Sequence, residues 1–71
     1  MKAFYITYRN GEKNIFHVEE RYEILKTIYK GNFKKLFNEI LKIQWYEEDG
    51  LYEQLLDTGE IIKVNSTEEI R

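Results

Sequence analysis

The sequence contains no cysteine, no proline and a single histidine, His17. Without cysteine there is no disulfide framework and no thiolate metal site, which argues against a small secreted, cross-linked scaffold. The apolar run after Met1 is too short for a signal peptide, and no later run reaches membrane-spanning length. We therefore expect a cytoplasmic protein.

Groups able to act as nucleophiles or general bases are scarce. His17 lies in mid-strand among apolar residues, and the only serine, Ser66, stands in a polar tail without a supporting motif. The acidic run at 47–49 lacks the alternating ligand spacing of a calcium loop, and the glycines are dispersed rather than gathered into a phosphate-binding loop. We predict that the protein is not an enzyme and has no cofactor and no metal site.

The rest of the composition is that of a folded domain. Hydrophobic residues make up 42% of the chain and aromatic residues 15%, so large rings supply core area that a chain of 71 residues otherwise lacks. All four glycines stand where the hydrophobic pattern changes. We expect residues 1–71 to form one compact domain in which the polar segment 65–71 frays.

The N-terminal segment alternates apolar and polar residues and predicts an antiparallel hairpin over residues 2–18. A two-residue turn would pair Phe4 with His17, whereas a three-residue loop pairs Phe4 with Phe16. We favour the second register, with Gly11 in a left-handed conformation, because it places the apolar residues on one face.

Two consecutive helices are predicted next. Residues 19–30 form the first, ending at Gly31, with an apolar stripe of Tyr22, Leu25, Ile28 and Tyr29. Asn32 caps the second helix. Its apolar residues follow helical spacing closely and are Phe33, Leu36, Phe37, Ile40 and Leu41.

Near residue 41 the pattern returns to alternation and predicts a further strand. Residues 52–56 and 60–64 indicate a second hairpin, and a short helix capped by Asp49 and ended by Gly59 is the alternative. The sequence thus predicts an α+β fold of order ββααβββ. In it a small antiparallel sheet of four or five strands, with two hairpins, is packed by two consecutive helices.

Charge is distributed unevenly along the chain. Residues 1–45 carry nine Lys or Arg against five acids, a net charge of +4, whereas residues 46–71 carry two against eight, a net charge of −6. Surface potential steers association without specifying topology, so this asymmetry bears on the partners more than on the fold.

An acidic and aromatic patch is the first candidate binding surface. Tryptophan and tyrosine anchor protein interfaces well, and carboxylates attract basic partners. The simpler interpretation is that alternation buries the tryptophan and leaves the acids as a solvated rim. The residues of the patch are Trp45, Tyr46, Glu47, Glu48, Asp49, Tyr52, Glu53, Asp57 and Glu60.

A lysine-rich corner is the second candidate. Lys34 and Lys35 occupy the first turn of the second predicted helix, where positive charge opposes the helix dipole and where a phosphate contact would account for it. A pair between Lys35 and Glu39 is the simpler explanation. The candidate nucleic-acid-binding residues are Arg21, Lys26, Lys30, Lys34 and Lys35.

The third candidate is the sheet face that carries Tyr5, Ile15 and His17. Because a chain of this size has a small core, this face is suited to pairing with a second copy or with another subunit.

From these surfaces we predict a protein-binding module that contacts a larger protein with a basic surface through the acidic and aromatic patch. In size and charge layout the chain resembles the small accessory proteins of phages and mobile elements. That resemblance implies an inhibitor of a host nucleic-acid-handling complex. The alternatives are a small nucleic-acid-binding protein that uses the lysine-rich corner, and a structural subunit or homodimer. No membrane partner is expected.

Overall fold

A computed structural model describes residues 1–64, which form a five-stranded antiparallel sheet with a short helical layer on one face. The strands, in the spatial order β2-β1-β3-β4-β5, are β1 (Lys2–Tyr8), β2 (Lys13–Val18), β3 (Ile40–Glu47), β4 (Gly50–Leu55) and β5 (Ile61–Lys63). The one α-helix of this part of the chain is α1, Phe33–Glu39. None of its helices has the length and apolar character needed to cross a membrane. The segment 65–71, predicted to fray, lies outside the described residues.

The register predicted for the first hairpin is confirmed. Phe4 lies opposite Phe16, and Gly11 has a φ of 90°, in the left-handed region that glycine adopts without strain. The Asn10 side chain accepts a hydrogen bond from the amide of Glu12 at 2.9 Å, which stabilises the turn. The second hairpin is also confirmed, since β4 pairs with β5, and the alternative short helix is wrong.

The prediction of two consecutive helices packed on the sheet is wrong, and with it the order ββααβββ. In residues 19–30 the helical conformation is limited to residues 22–28, of which Ile24–Ile28 is π-helical. Before the π-helical turn, the Glu23 carboxylate accepts hydrogen bonds from the backbone amides of Glu19 and Glu20, a contact typical of a helix N-terminus, so helical structure starts only after Glu20. After it, Lys30 (φ 52°) and Gly31 (φ 82°) both turn left-handed and end the helical path.

The π-helical turn also changes which side chains are buried. The amide of Tyr29 donates to the carbonyl of Ile24, five residues back, so these two residues lie on the same side of the turn. Tyr22 and Ile28, predicted to belong to the apolar stripe, are exposed. The core between the helical layer and the sheet consists of Phe4, Ile6, Ile24, Leu25, Tyr29, Leu36, Ile40, Ile43, Trp45 and Leu56.

Helix α1 is fixed at both ends. Asn32 caps it as predicted, because its side chain accepts a hydrogen bond from the amide of Lys35 at 3.0 Å. At the other end Arg9 donates through Nε to the carbonyl of Phe37 and through its backbone amide to the carbonyl of Glu39, both at 2.9 Å. These bonds satisfy the last carbonyls of the helix and hold α1 against the end of β1.

Candidate docking surfaces

Trp45 is an internal residue. It points from β3 towards the helical layer and is 3% exposed. Its ring stacks on Tyr52, with centroids 6.1 Å apart, and contacts Phe4 at 6.0 Å. The guanidinium carbon of Arg21 lies 4.3 Å from the ring centre, and the indole Nε1 donates to the Glu47 carboxylate at 2.9 Å. The tryptophan of the predicted patch is thus engaged inside the domain.

Most of the acids of the predicted patch are paired with cations of the same chain. The described ion pairs are Glu47 with Lys2 at 2.9 Å, Asp49 with Lys63 at 3.5 Å, Glu53 with Lys42 at 3.4 Å, and Asp57 with Arg9 at 2.7 Å. Within residues 1–64, Glu48 and Glu60 make no ion pair. Internal neutralisation reduces the attraction that this surface exerts on a basic partner.

The ion pairs and hydrogen bonds shift the acid strength of two of these carboxyl groups. The hydrogen bond from the Lys2 ammonium, helped by that from Trp45, lowers the pKa of Glu47. The hydroxyl of Tyr52 donates to Asp49 at 2.7 Å, which lowers the pKa of Asp49 and raises the pKa of the tyrosine. Both carboxylates are therefore stabilised in their charged form by contacts within the chain.

The predicted patch does not form one surface, because successive residues of a strand point to opposite faces. Trp45 and Tyr52 lie on the face under the helical layer, and Tyr46 and Glu53 lie on the other face, here called the outer face. Tyr46 is the aromatic residue of the patch that is most open to solvent, with 53% of its surface exposed.

The residues of the predicted lysine-rich corner are also separated. Arg21 belongs to the Trp45 cluster, and Lys35 lies 4.0 Å from Glu39 in the helix pair that the sequence suggested. Lys26, Lys30 and Lys34 have no carboxylate within ion-pair distance in residues 1–64. The positive charge of the helical layer that no carboxylate of residues 1–64 pairs with therefore lies at these three lysines and at Arg21, which covers the Trp45 ring.

Helix α1 presents two phenylalanines to solvent, a feature that the sequence analysis missed. Phe33 is 58% exposed and Phe37 is 41% exposed, and their rings stack with centroids 6.2 Å apart and an interplanar angle of 17°. The helix has only seven residues and buries Leu36, while the chain turns into β3 immediately after it. The five-residue stripe predicted for the helix is thus divided between two elements, because Ile40 and Leu41 belong to β3.

We call Phe33, Phe37, Lys30 and Lys34 the Phe33–Phe37 surface. Helical spacing places Lys34 on the same side of α1 as Phe37, three residues later, and Lys30 lies in the turn that leads into the helix. On its far side Phe37 borders an open depression of about 640 Å³ between α1 and the β4–β5 turn. Its rim includes the Arg9–Asp57 ion pair and Leu56.

No helix formed by residues 1–64 packs on the outer face of the sheet. His17 lies there on the edge strand β2, opposite Ala3 of β1, and is exposed. Tyr5 and Tyr46 meet edge to face with centroids 6.4 Å apart. In residues 1–64, no group of three or more His, Cys, Asp or Glu side chains is arranged to hold a metal ion.

Comparison of the chain with family models, with curated proteins and with solved structures finds no match in any of the three.

Proposed function

We propose that this chain is a non-enzymatic protein-binding module and that its Phe33–Phe37 surface docks an apolar, acidic segment of a partner protein. The observation that carries the proposal is the pair of stacked phenylalanine rings left in water on α1. Covering a large apolar side chain is worth roughly 1.5 to 3 kcal/mol, so a partner that buries both rings gains much of the free energy of a specific contact.

Charge defines the chemistry of the partner. Lys34 lies one helical turn from Phe37 and Lys30 lies in the turn before α1, and neither has a carboxylate in ion-pair distance among residues 1–64, whereas most acids of the predicted patch are already paired. Lysines in this position attract carboxylates and speed association. An amphipathic partner segment with apolar residues on one side and acids on its margin fits both features.

A protein partner is favoured over a nucleic acid. The two rings lie nearly parallel with centroids 6.2 Å apart and form one small patch, whereas single-stranded nucleic acids are bound by aromatic platforms spread along a positively charged groove. Carboxylates also lie close by, since Asp57 borders the same depression as Phe37 and Glu39 ends the helix. A phosphate backbone needs a continuous positive groove, and two unpaired lysines beside an acidic rim do not supply one.

Two predictions made from the sequence are separate from this proposal. A partner with a basic surface and a role as inhibitor of a nucleic-acid-handling complex stay predictions. Glu48 and Glu60, which make no ion pair within residues 1–64, and the exposed Tyr46 are the parts of the acidic and aromatic patch that would support such a partner.

Fluorescence anisotropy with three labelled probes tests the proposal. The probes are a synthetic amphipathic peptide of glutamate and leucine, the same peptide with lysine in place of glutamate, and oligothymidylate. We expect the acidic peptide to bind the wild type and to lose at least about tenfold in affinity with Phe33→Ser combined with Phe37→Ser. Lys34→Glu should weaken it, and the control Tyr46→Ser, an equally exposed aromatic on the other face, should not.

The other outcomes decide against the proposal. If the acidic peptide binds the double variant as well as the wild type, the Phe33–Phe37 surface is not the docking site. If oligothymidylate binds and the double variant abolishes it, the surface serves a nucleic acid instead. If only the basic peptide binds and Glu48→Lys abolishes it, the acidic and aromatic patch is the docking surface.

A further inference from the structure

Arg9 lies at the edge of the Phe33–Phe37 surface with its side chain fixed by the fold. Its Nε donates to the carbonyl of Phe37 and its backbone amide donates to the carbonyl of Glu39, both at 2.9 Å. Together with Phe37 it lines the open depression between α1 and the β4–β5 turn. Because the guanidinium is held in place before a partner arrives, binding to it requires little further ordering of the side chain.

The guanidinium of Arg9 has hydrogen-bonding capacity to spare. An arginine side chain carries several N–H donors in a planar fork that suits a carboxylate. Nε donates to Phe37 and Nη2 donates to Oδ1 of Asp57 at 2.7 Å, and no other acceptor of residues 1–64 takes the remaining N–H groups. Carboxylates commonly accept two parallel bonds from one arginine, whereas Asp57 accepts a single one. The guanidinium can therefore bind a further carboxylate.

Asp57 is the feature of the depression that opposes an acidic partner. Its side chain is 64% exposed and lines the same depression as Arg9 and Phe37. The negative charge neutralises the arginine and repels the acids of a segment that docks beside Phe37. An ion pair this exposed contributes little to stability, so a partner carboxylate can replace Asp57 on the arginine at little cost.

We infer that Arg9 is a specificity-determining residue of the Phe33–Phe37 surface and that Asp57 is a competitor within the chain that limits affinity for acidic segments. This inference rests on the proposed function and deepens it. On docking, a partner carboxylate takes N–H groups of Arg9 in exchange for Asp57, while an apolar side chain next to that carboxylate covers Phe37. The positive charge that selects an acidic partner then comes from the arginine at the depression as well as from the two lysines of the surface.

A matched pair of variants tests the inference by fluorescence anisotropy with the labelled glutamate and leucine peptide at low ionic strength. Asp57→Asn and Asp49→Asn each remove one exposed aspartate, 64% and 59% exposed, from an ion pair with a cation of the chain. Asp49 lies in the β3–β4 turn, at the end of the sheet away from α1. Both variants keep a side-chain oxygen that accepts the existing hydrogen bonds, so we expect both to fold.

The two variants should differ in their affinity for the peptide. Asp57→Asn removes a negative charge next to the incoming carboxylate and should raise the affinity at least about threefold. Asp49→Asn changes the net charge equally and should leave the affinity unchanged. Adding Arg9→Gln to Asp57→Asn should abolish the gain. If that double variant fails to fold, the comparison of the two aspartate variants decides alone.

The outcomes separate this inference from the proposed function. If the wild type binds the acidic peptide and Asp57→Asn binds it no more tightly, the inference is overturned and the docking surface stands. An equal gain with Asp49→Asn also overturns it, because the effect would then come from net charge alone. If the peptide binds neither the wild type nor Asp57→Asn, the proposed function and this inference are both wrong.

Discussion

The guanidinium of Arg21 lies 4.3 Å above the indole ring of Trp45. Sequence reasoning assigned these two residues to different binding surfaces, one basic and one acidic and aromatic. In the structure they form a single contact between the segment before the π-helical turn and strand β3. The contact stabilises the domain and removes both side chains from the candidate docking surfaces.

Removal of this contact should destabilise the domain. Because the ring is buried, we expect Arg21→Ala to lower the free energy of unfolding by about 1 kcal/mol. Trp45 is the only tryptophan, so urea unfolding followed by its fluorescence measures the effect directly. Lys26→Ala, which removes a cation with no ion pair in residues 1–64, is the control and should change stability by less than about 0.5 kcal/mol. Equal effects of the two variants would contradict the assigned contact.

Stability should decrease in acid because of Glu47. Its pKa is lowered in the folded state by the hydrogen bond from Lys2, so its contribution is complete at neutral pH and is lost as the pH drops below about 5 towards the folded pKa. Glu47→Gln should reduce stability at neutral pH and flatten the decline in acid. The measurement is urea unfolding at a series of pH values, with Glu48→Gln as the neighbouring control. A decline of the same slope in Glu47→Gln and the wild type would refute the prediction.

Stability should also decrease in alkali because of Tyr29. Burial, together with Glu39 and Tyr8, raises the pKa of Tyr29 to about 12. A raised folded pKa means that the contribution is complete below the unfolded value of about 10 and is lost as the pH rises from there towards 12. Unfolding of Tyr29→Phe should show a shallower loss over this range, and the exposed Tyr22→Phe should behave as the wild type. If both variants follow the wild type, Tyr29 does not titrate as described.

The exposed phenylalanines should contribute little to stability. Leu36 is 6% exposed and Phe33 is 58% exposed, although both belong to α1. Leu36→Ala should lower the free energy of unfolding by about 2 to 4 kcal/mol, whereas Phe33→Ser should lower it by less than about 1 kcal/mol. Thermal and urea unfolding give both values. A cost for Phe33→Ser equal to that of Leu36→Ala would show that the ring belongs to the core.

The parts of the fold that were predicted correctly depend on local patterns. The pairing of Phe4 with Phe16 follows from alternation and from a glycine in the turn, and the cap at Asn32 follows from residue type and position. The prediction of the first helix was wrong because two features that shorten the helix have no signature in the sequence. The hydrogen bonding becomes π-helical at Ile24, and Lys30 adopts a left-handed conformation that composition does not reveal.

The site was harder to predict because it depends on contacts between distant parts of the chain. Lys2 and Glu47 are 45 residues apart, and Arg9 and Asp57 are 48 residues apart, so neither ion pair has a local signature. Because the sequence does not reveal those pairs, the acidic segment was predicted to be a free docking surface. The simpler interpretation of the patch, in which strand alternation buries Trp45, agrees with the structure, where Trp45 is in the core.

The central claim is that docking occurs on α1 and not on the acidic β3–β4 end of the sheet. An NMR titration of the ¹⁵N-labelled protein with the amphipathic glutamate and leucine peptide tests it residue by residue. The account predicts that the largest amide shift changes fall within Phe33–Glu39 and at the β4–β5 turn beside Phe37. Shift changes centred on residues 46–49, with α1 unaffected, would contradict it.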